Sequence, residues 1–235
     1  MRNRQLWGGA GLMAVAGALF FATKFYGVYN YTSVAFNAGG GTWQFNGAVT
    51  ASGVELVTSG SGAGGAIYLP ALANPADYEV RTTLRLNSSG GTYVTFIRAS
   101  NDALPGNQGS WYALEIQNPT FSSAPGSPCT ATAVLSKRIA GSYAVLSSAP
   151  VPCRNLMQVR LVAISYDATN GALLGYVDNH GYLYAGINNP QLPSGKPGAG
   201  LISAPSGSGI AQFDFGARDT LGPNAIDANY LSTWT

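Results

Sequence analysis

From about Gly40 onward the chain reads as short runs of alternating apolar and polar residues, punctuated by Gly, Pro, Asn and Ser clusters. That rhythm predicts many short strands and a sandwich or barrel. The clearest run is Asp77–Asn87, DYEVRTTLRLN. A period of two sends Tyr78, Val80, Thr82, Leu84 and Leu86 to one face and Glu79, Arg81, Thr83 and Arg85 to the other. One face is expected in the core and the other in water. SWYALEIQN repeats the pattern, with Tyr112, Leu114 and Ile116 expected inward and Trp111, Glu115 and Gln117 outward. Further strands are predicted at 43–49, 54–58, 66–69, 92–99, 130–139, 143–149, 156–165, 172–178, 182–187, 199–203 and 210–217. No stretch after residue 40 sustains a helical period. One β-sandwich spanning 36–220 is the expected fold, with no second domain.

The amino-terminal pattern is different. Arg2 and Arg4 precede an apolar run from Leu6 to Ala22, closed by Lys24. Its 17 residues sit at the short end of what spans a bilayer. Two readings compete. Ala16-Gly17-Ala18 has the small-x-small form of a signal-peptide cleavage site. Against cleavage, Leu19, Phe20, Phe21 and Ala22 continue the apolar run beyond that site. Ala10, Ala14, Ala18 and Ala22 recur every four residues, a smooth stripe for helix–helix packing, and Phe25, Tyr26, Tyr29 and Tyr31 follow Lys24 as an interfacial belt. The favoured reading is a retained transmembrane anchor with linker over 1–35. The charge flanks put its amino terminus in the cytoplasm and the sandwich in the periplasm or outside the cell. Residues 221–235 lack strand alternation but carry Ile226, Tyr230, Leu231 and Trp234. They are expected to pack on the domain or on a partner.

Composition narrows the function. Charged residues make up 9% of the chain, against roughly 25% in ordinary domains. The net charge is +2 with scattered cations, so no basic patch points to nucleic acid. One His and two Cys argue against a Cys/His metal site. The cysteines fall at the open end of a hairpin. If CTATAVLSKRI and SYAVLSSAPVPC are joined by the three-residue loop Ala140-Gly141-Ser142, Ile139 faces Tyr143 and Cys129 faces Cys153. A disulfide there needs an oxidising compartment and would stabilise the fold by on the order of 3 kcal/mol.

The order of segments TWQFNG, DYEVRTTLRL, TYVTFIRASN, GSWYALEIQN, LSKRIAG, MQVRLVAIS, YVDNHGYLY, SGKPGAGLIS and AQFDFGARD resembles the concanavalin A-like (laminin-G-like) jelly roll, in its bacterial extracytoplasmic branch. The likeness covers about residues 40–220. It implies two curved antiparallel sheets of roughly fourteen strands. The family includes lectins, glycan hydrolases and non-catalytic adhesion modules.

Hydrolases of this fold carry clustered carboxylates on one strand of the concave sheet. The comparable strand here, SWYALEIQN, offers Glu115 alone, with Ala113 and Gln117 beside it. A lone carboxylate cannot divide the acid and base roles, unless a neighbouring strand supplies a partner such as Glu79. Asp178-Asn179-His180-Gly181 reads as a hairpin turn and His180 as a loop residue. The family often binds calcium, but neither Asp102 nor Asp178 has neighbours enough for an oxygen cage. No metal, cofactor or catalytic residue is therefore assigned. The outward side chains Arg81, Arg85, Trp111, Glu115 and Gln117 form the candidate ligand-binding surface. The leading expectation is a non-catalytic, membrane-anchored subunit contacting other membrane proteins and the lipid bilayer through its helix and sandwich. The alternative is a secreted or anchored carbohydrate-binding protein, or a weak glycan hydrolase.

Overall fold

A computed structural model describes residues 31–37, 39–71, 78–105, 108–120, 129–153, 160–167, 171–177, 180–187 and 191–217. The anchor with its alanine stripe, Asp178 and the tail at 221–235 lie outside those residues. Among the described residues no helix is long and apolar enough to cross a membrane.

Among the described residues fifteen strands follow in chain order: β1 (Tyr31–Ser33), β2 (Trp43–Gly47), β3 (Val49–Ser52), β4 (Glu55–Thr58), β5 (Ala63–Tyr68), β6 (Tyr78–Arg85), β7 (Thr92–Ala99), β8 (Trp111–Thr120), β9 (Cys129–Ile139), β10 (Ser142–Cys153), β11 (Arg160–Asp167), β12 (Ala172–Val177), β13 (His180–Gly186), β14 (Lys196–Ile202) and β15 (Gly209–Ala217). They build two antiparallel sheets. The eight-stranded sheet runs β13-β12-β11-β6-β15-β4-β3, with β1 also paired to β15. The seven-stranded sheet runs β10-β9-β8-β7-β14-β5-β2. Because β1 pairs with β15, the sheet begins inside the stretch read as linker.

The inward rows read from the sequence are the ones that build the core. On β6 and just beyond it, Tyr78, Val80, Thr82, Leu84 and Leu86 are all buried. On β8, Tyr112, Leu114 and Ile116 meet them from the other sheet within one cluster. The two sheets also share a hydrogen bond between the buried hydroxyls of Thr82 and Thr95, 2.5 Å apart. That pairing satisfies two polar groups that would otherwise be stranded in an apolar layer. The single strand predicted over 43–49 is two. Gly47, at a φ of 73°, turns the chain out of one sheet, and β3 enters the other.

The β9–β10 hairpin departs from the expected register at its turn, and a bulge restores it. Its turn has two residues: Ser142 pairs with Ile139, and Ala140 and Gly141 take φ values of 47° and 84°. Positive φ at both central positions is what a type I′ hairpin turn requires. A bulge between Val145 and Ser147 then absorbs one residue of β10. Beyond it the pairing returns to the predicted frame, and Cys153 stands opposite Cys129. At the β12–β13 connection Val177 pairs with His180, so the predicted hairpin is present with His180 as the first residue of its second strand.

Candidate functional site

The five candidate side chains do not share one surface. Arg81 and Arg85 lie on β6, in the eight-stranded sheet. Trp111, Glu115 and Gln117 lie on β8, in the seven-stranded sheet. Each set alternates with core residues of its own sheet, so the two sets face away from each other. Alternation reports which side of its own sheet a residue takes, not which sheet it belongs to. The two arginines are also engaged. Arg81 Nε donates to Glu79 Oε1 at 2.7 Å, and Arg85 pairs with Glu55. Glu79 therefore cannot serve Glu115 as a catalytic partner: it sits on the outer face of the opposite sheet, bridged to Arg81.

Trp111 was expected in water and is 1% exposed. The outer face of the seven-stranded sheet carries a second apolar cluster of Ile67, Val94, Phe96, Ala99, Ala103, Trp111 and Ala113. The segment after β7 covers part of that face. Ala103 and Pro105 are buried, and the floor beneath them is glycine. A Cβ on Gly200 would lie 2.3 Å from Pro105 Cγ, and one on Gly65 would lie 2.9 Å from Pro105 Cδ. Only glycine leaves room for the proline ring to seat there. At the other side of Trp111, the Arg138 guanidinium lies 5.4 Å from the centre of the Trp111 ring, within range of a cation–π contact.

Further along the same face the chemistry turns polar. Glu115 is 5% exposed and is the only acidic residue on the seven strands of this sheet. Three donors hold its carboxylate. Ser136 on β9 donates to Oε1 at 2.5 Å. Gln117, two residues along β8, donates to Oε2 at 2.6 Å. Tyr143 on β10 donates its hydroxyl to Oε2 at 3.2 Å. A carboxylate has about four acceptor positions, so three of them are committed to fixing its orientation.

Tyr143 is 42% exposed. Its hydroxyl is pushed up to about 12, first by burial and next by the adjacent Glu115 charge. It stays protonated at neutral pH and remains a donor. Val145, next on that face of β10, is also exposed. Ser136 and Tyr143 were not among the sequence candidates. They belong to this site only because β9 and β10 lie beside β8 in the order of the sheet. The signal available in the sequence was the Ala140-Gly141 turn, which brings both strands together.

Among the described residues no three His, Cys, Asp or Glu side chains come together.

No protein-family model matches the chain, and no curated protein matches it. Solved structures do. Carbohydrate-binding module CBM66 from Bacillus subtilis aligns with a TM-score of 0.51 at 13% identity, over 75% of this chain and 92% of that one. The legume lectin-like domain from Entamoeba histolytica aligns at 0.50 and 11% identity, over 75% and 90%. The exoplasmic/lumenal domain of VIP36, solved with Ca2+ and Man3GlcNAc bound, aligns at 0.53 and 12% identity, over 84% and 93%. At such identities the likeness establishes architecture alone: this chain has the concanavalin A-like, legume-lectin-like jelly-roll fold.

Proposed function

We propose that the domain is a non-catalytic carbohydrate-binding module whose ligand lies against the outer face of the seven-stranded sheet, at Tyr143, Glu115 and Gln117. The observation that carries this reading is the clamped carboxylate beside a half-exposed aromatic ring. An aromatic face packs on the C–H side of a sugar ring, and fixed acceptors receive its hydroxyls. The fold's neighbours add support, since they include a carbohydrate-binding module and a legume lectin-like domain.

The same arrangement argues against hydrolysis. Two carboxyl groups about 5 to 10 Å apart are needed for it. Glu115 is alone on its sheet, and three of its acceptor positions are taken by the side chains that hold it. The tether at residues 6–22 and an extracytoplasmic location stay part of the proposal and rest on the sequence of the first 35 residues. The facing positions of Cys129 and Cys153 support a disulfide, and with it an oxidising compartment.

The test is a glycan array probed with the full chain and with Tyr143→Ala. Tyr143 lies on an edge strand and is partly exposed, so its truncation leaves the core intact. Binding to a defined glycan class that falls roughly tenfold or more in the variant supports the proposal. No bound glycan, or binding indifferent to the substitution, refutes it.

A further inference from the structure

A depression of about 490 Å³ opens at the opposite edge of the same sheet, where β2 is the outermost strand. It is lined by Gln44, Asn46, Gly47, Asn101, Asp102 and Gln108, with Leu104 as its apolar wall; Phe45 borders it, but its ring packs against the core. The volume falls in the range of small-molecule sites, about 300 to 1,000 Å³. It lies four strands from β8, about 19 Å at ordinary strand spacing. The segment carrying Ala103 and Pro105 covers sheet that lies between the two places.

The rim has a defined hydrogen-bonding polarity. Gln44 Nε2 donates to the Asn101 carbonyl at 2.8 Å and to Asn46 Oδ1 at 3.1 Å. Asn46 Nδ2 donates to the carbonyls of Asn101 and Ala103 at 3.0 and 3.2 Å. Each amide has two hydrogens, and both pairs are committed to these oxygens. The amide ends are thereby fixed, and Gln44 Oε1 is left as a free acceptor among the described residues. Asp102 is exposed, with no cationic partner among the described residues. The rim therefore presents one acceptor fixed by the amide network, Gln44 Oε1, and the exposed Asp102 carboxylate, with no Lys or Arg among the lining residues. An anionic group finds no partner there. A ligand that brings paired O–H donors and a C–H face for Leu104 does.

We propose that this depression is a second, independent carbohydrate site, which takes the vicinal diol of a neutral sugar through Asp102 and Gln44. It stands or falls apart from the Tyr143 patch, since no residue is shared. Saturation-transfer NMR tests it with the full chain, held in a detergent without a sugar headgroup. The probes are the methyl pyranosides of mannose, galactose and glucose, which differ in diol geometry. The expected result is transfer to at least one glycoside. Its apparent affinity falls roughly tenfold or more in Asp102→Asn, the loss of a hydrogen bond to a charged group, and is unchanged in Tyr143→Ala. No transfer to any of the three overturns the proposal. So does transfer that survives Asp102→Asn, and transfer abolished by Tyr143→Ala alone points to the Tyr143 patch.

Discussion

The Glu115–Ser136 contact makes a quantitative prediction about how the Tyr143 patch is held. Ser136 is fully buried, and its hydroxyl has Glu115 Oε1 as acceptor at 2.5 Å. Glu115→Ala strands that hydroxyl, at about 1–3 kcal/mol. Gln117 and Tyr143 lose the same carboxylate but reach water, so they add little. The net cost expected for Glu115→Ala is about 2 kcal/mol. Ser136→Ala leaves the buried carboxylate one charge-assisted donor short, again about 2 kcal/mol. In the double variant neither partner is stranded. Its cost should fall below the sum of the single costs by about 1–2 kcal/mol, the coupling energy of the pair. Urea unfolding of the four chains measures it. With a slope of about 2 kcal/mol per molar, each single variant lowers the midpoint by about 1 M. Additivity within about 0.5 kcal/mol would refute the reasoning. Glu115 would then not be anchored by Ser136, and the patch would lose its claim to a fixed acceptor geometry.

Two further expectations concern other parts of the chain. Tyr143 is raised to about 12 and Tyr78 is raised by complete burial, both from 10.0, so the folded state prefers the protonated phenols. Their stabilising contribution is complete below pH 10 and is lost as pH rises through the folded values. The urea midpoint should decline from pH 10 to 12, less steeply in Tyr143→Phe, and a flat or rising midpoint would contradict the assignment. Intact mass spectrometry of the mature protein should show residues 1–18 retained and a mass lower by two hydrogens, with no alkylation at Cys129 or Cys153 until reductant is added. A chain beginning after Ala18 would remove the tether, and alkylation without reductant would remove the disulfide.

The alternation on β6 and β8 was enough to name the core rows, because a strand with one wet face betrays its inward side at once. What it could not provide was the neighbour. Arg81 and Glu115 carry the same outward signature, and only long-range pairing puts them on opposite sheets. Trp111 went astray for a related reason: it does point outward, but the connection that leads from β7 into β8 folds back over that part of the face. A local clue existed. TYVTFIRA is apolar on both of its alternating sets, with Tyr93 and Ile97 on one and Val94 and Phe96 on the other. A strand covered on both sides reads that way. The glycines at 65 and 200 mark where the cover seats, and no neighbour in sequence predicts that a proline forty or ninety-five residues away fills the space above them. The depression beside β2 was equally hidden, since Gln44, Asn46 and Asp102 come to line it only after β2 and the segment following β7 are placed at one edge.

The bulge in β10 decides where the two halves of this strand aim their side chains. On the turn side of it, odd-numbered residues such as Tyr143 and Val145 face out, and on the cysteine side the even-numbered ones do. The bulge thus works as a phase joint between two halves of one strand. The residue by which the turn falls short is taken up at Leu146, so Cys153 keeps its place opposite Cys129. The half that bears Tyr143 thus takes its aim from the two-residue turn, and the half that bears Cys153 keeps the register of a three-residue one.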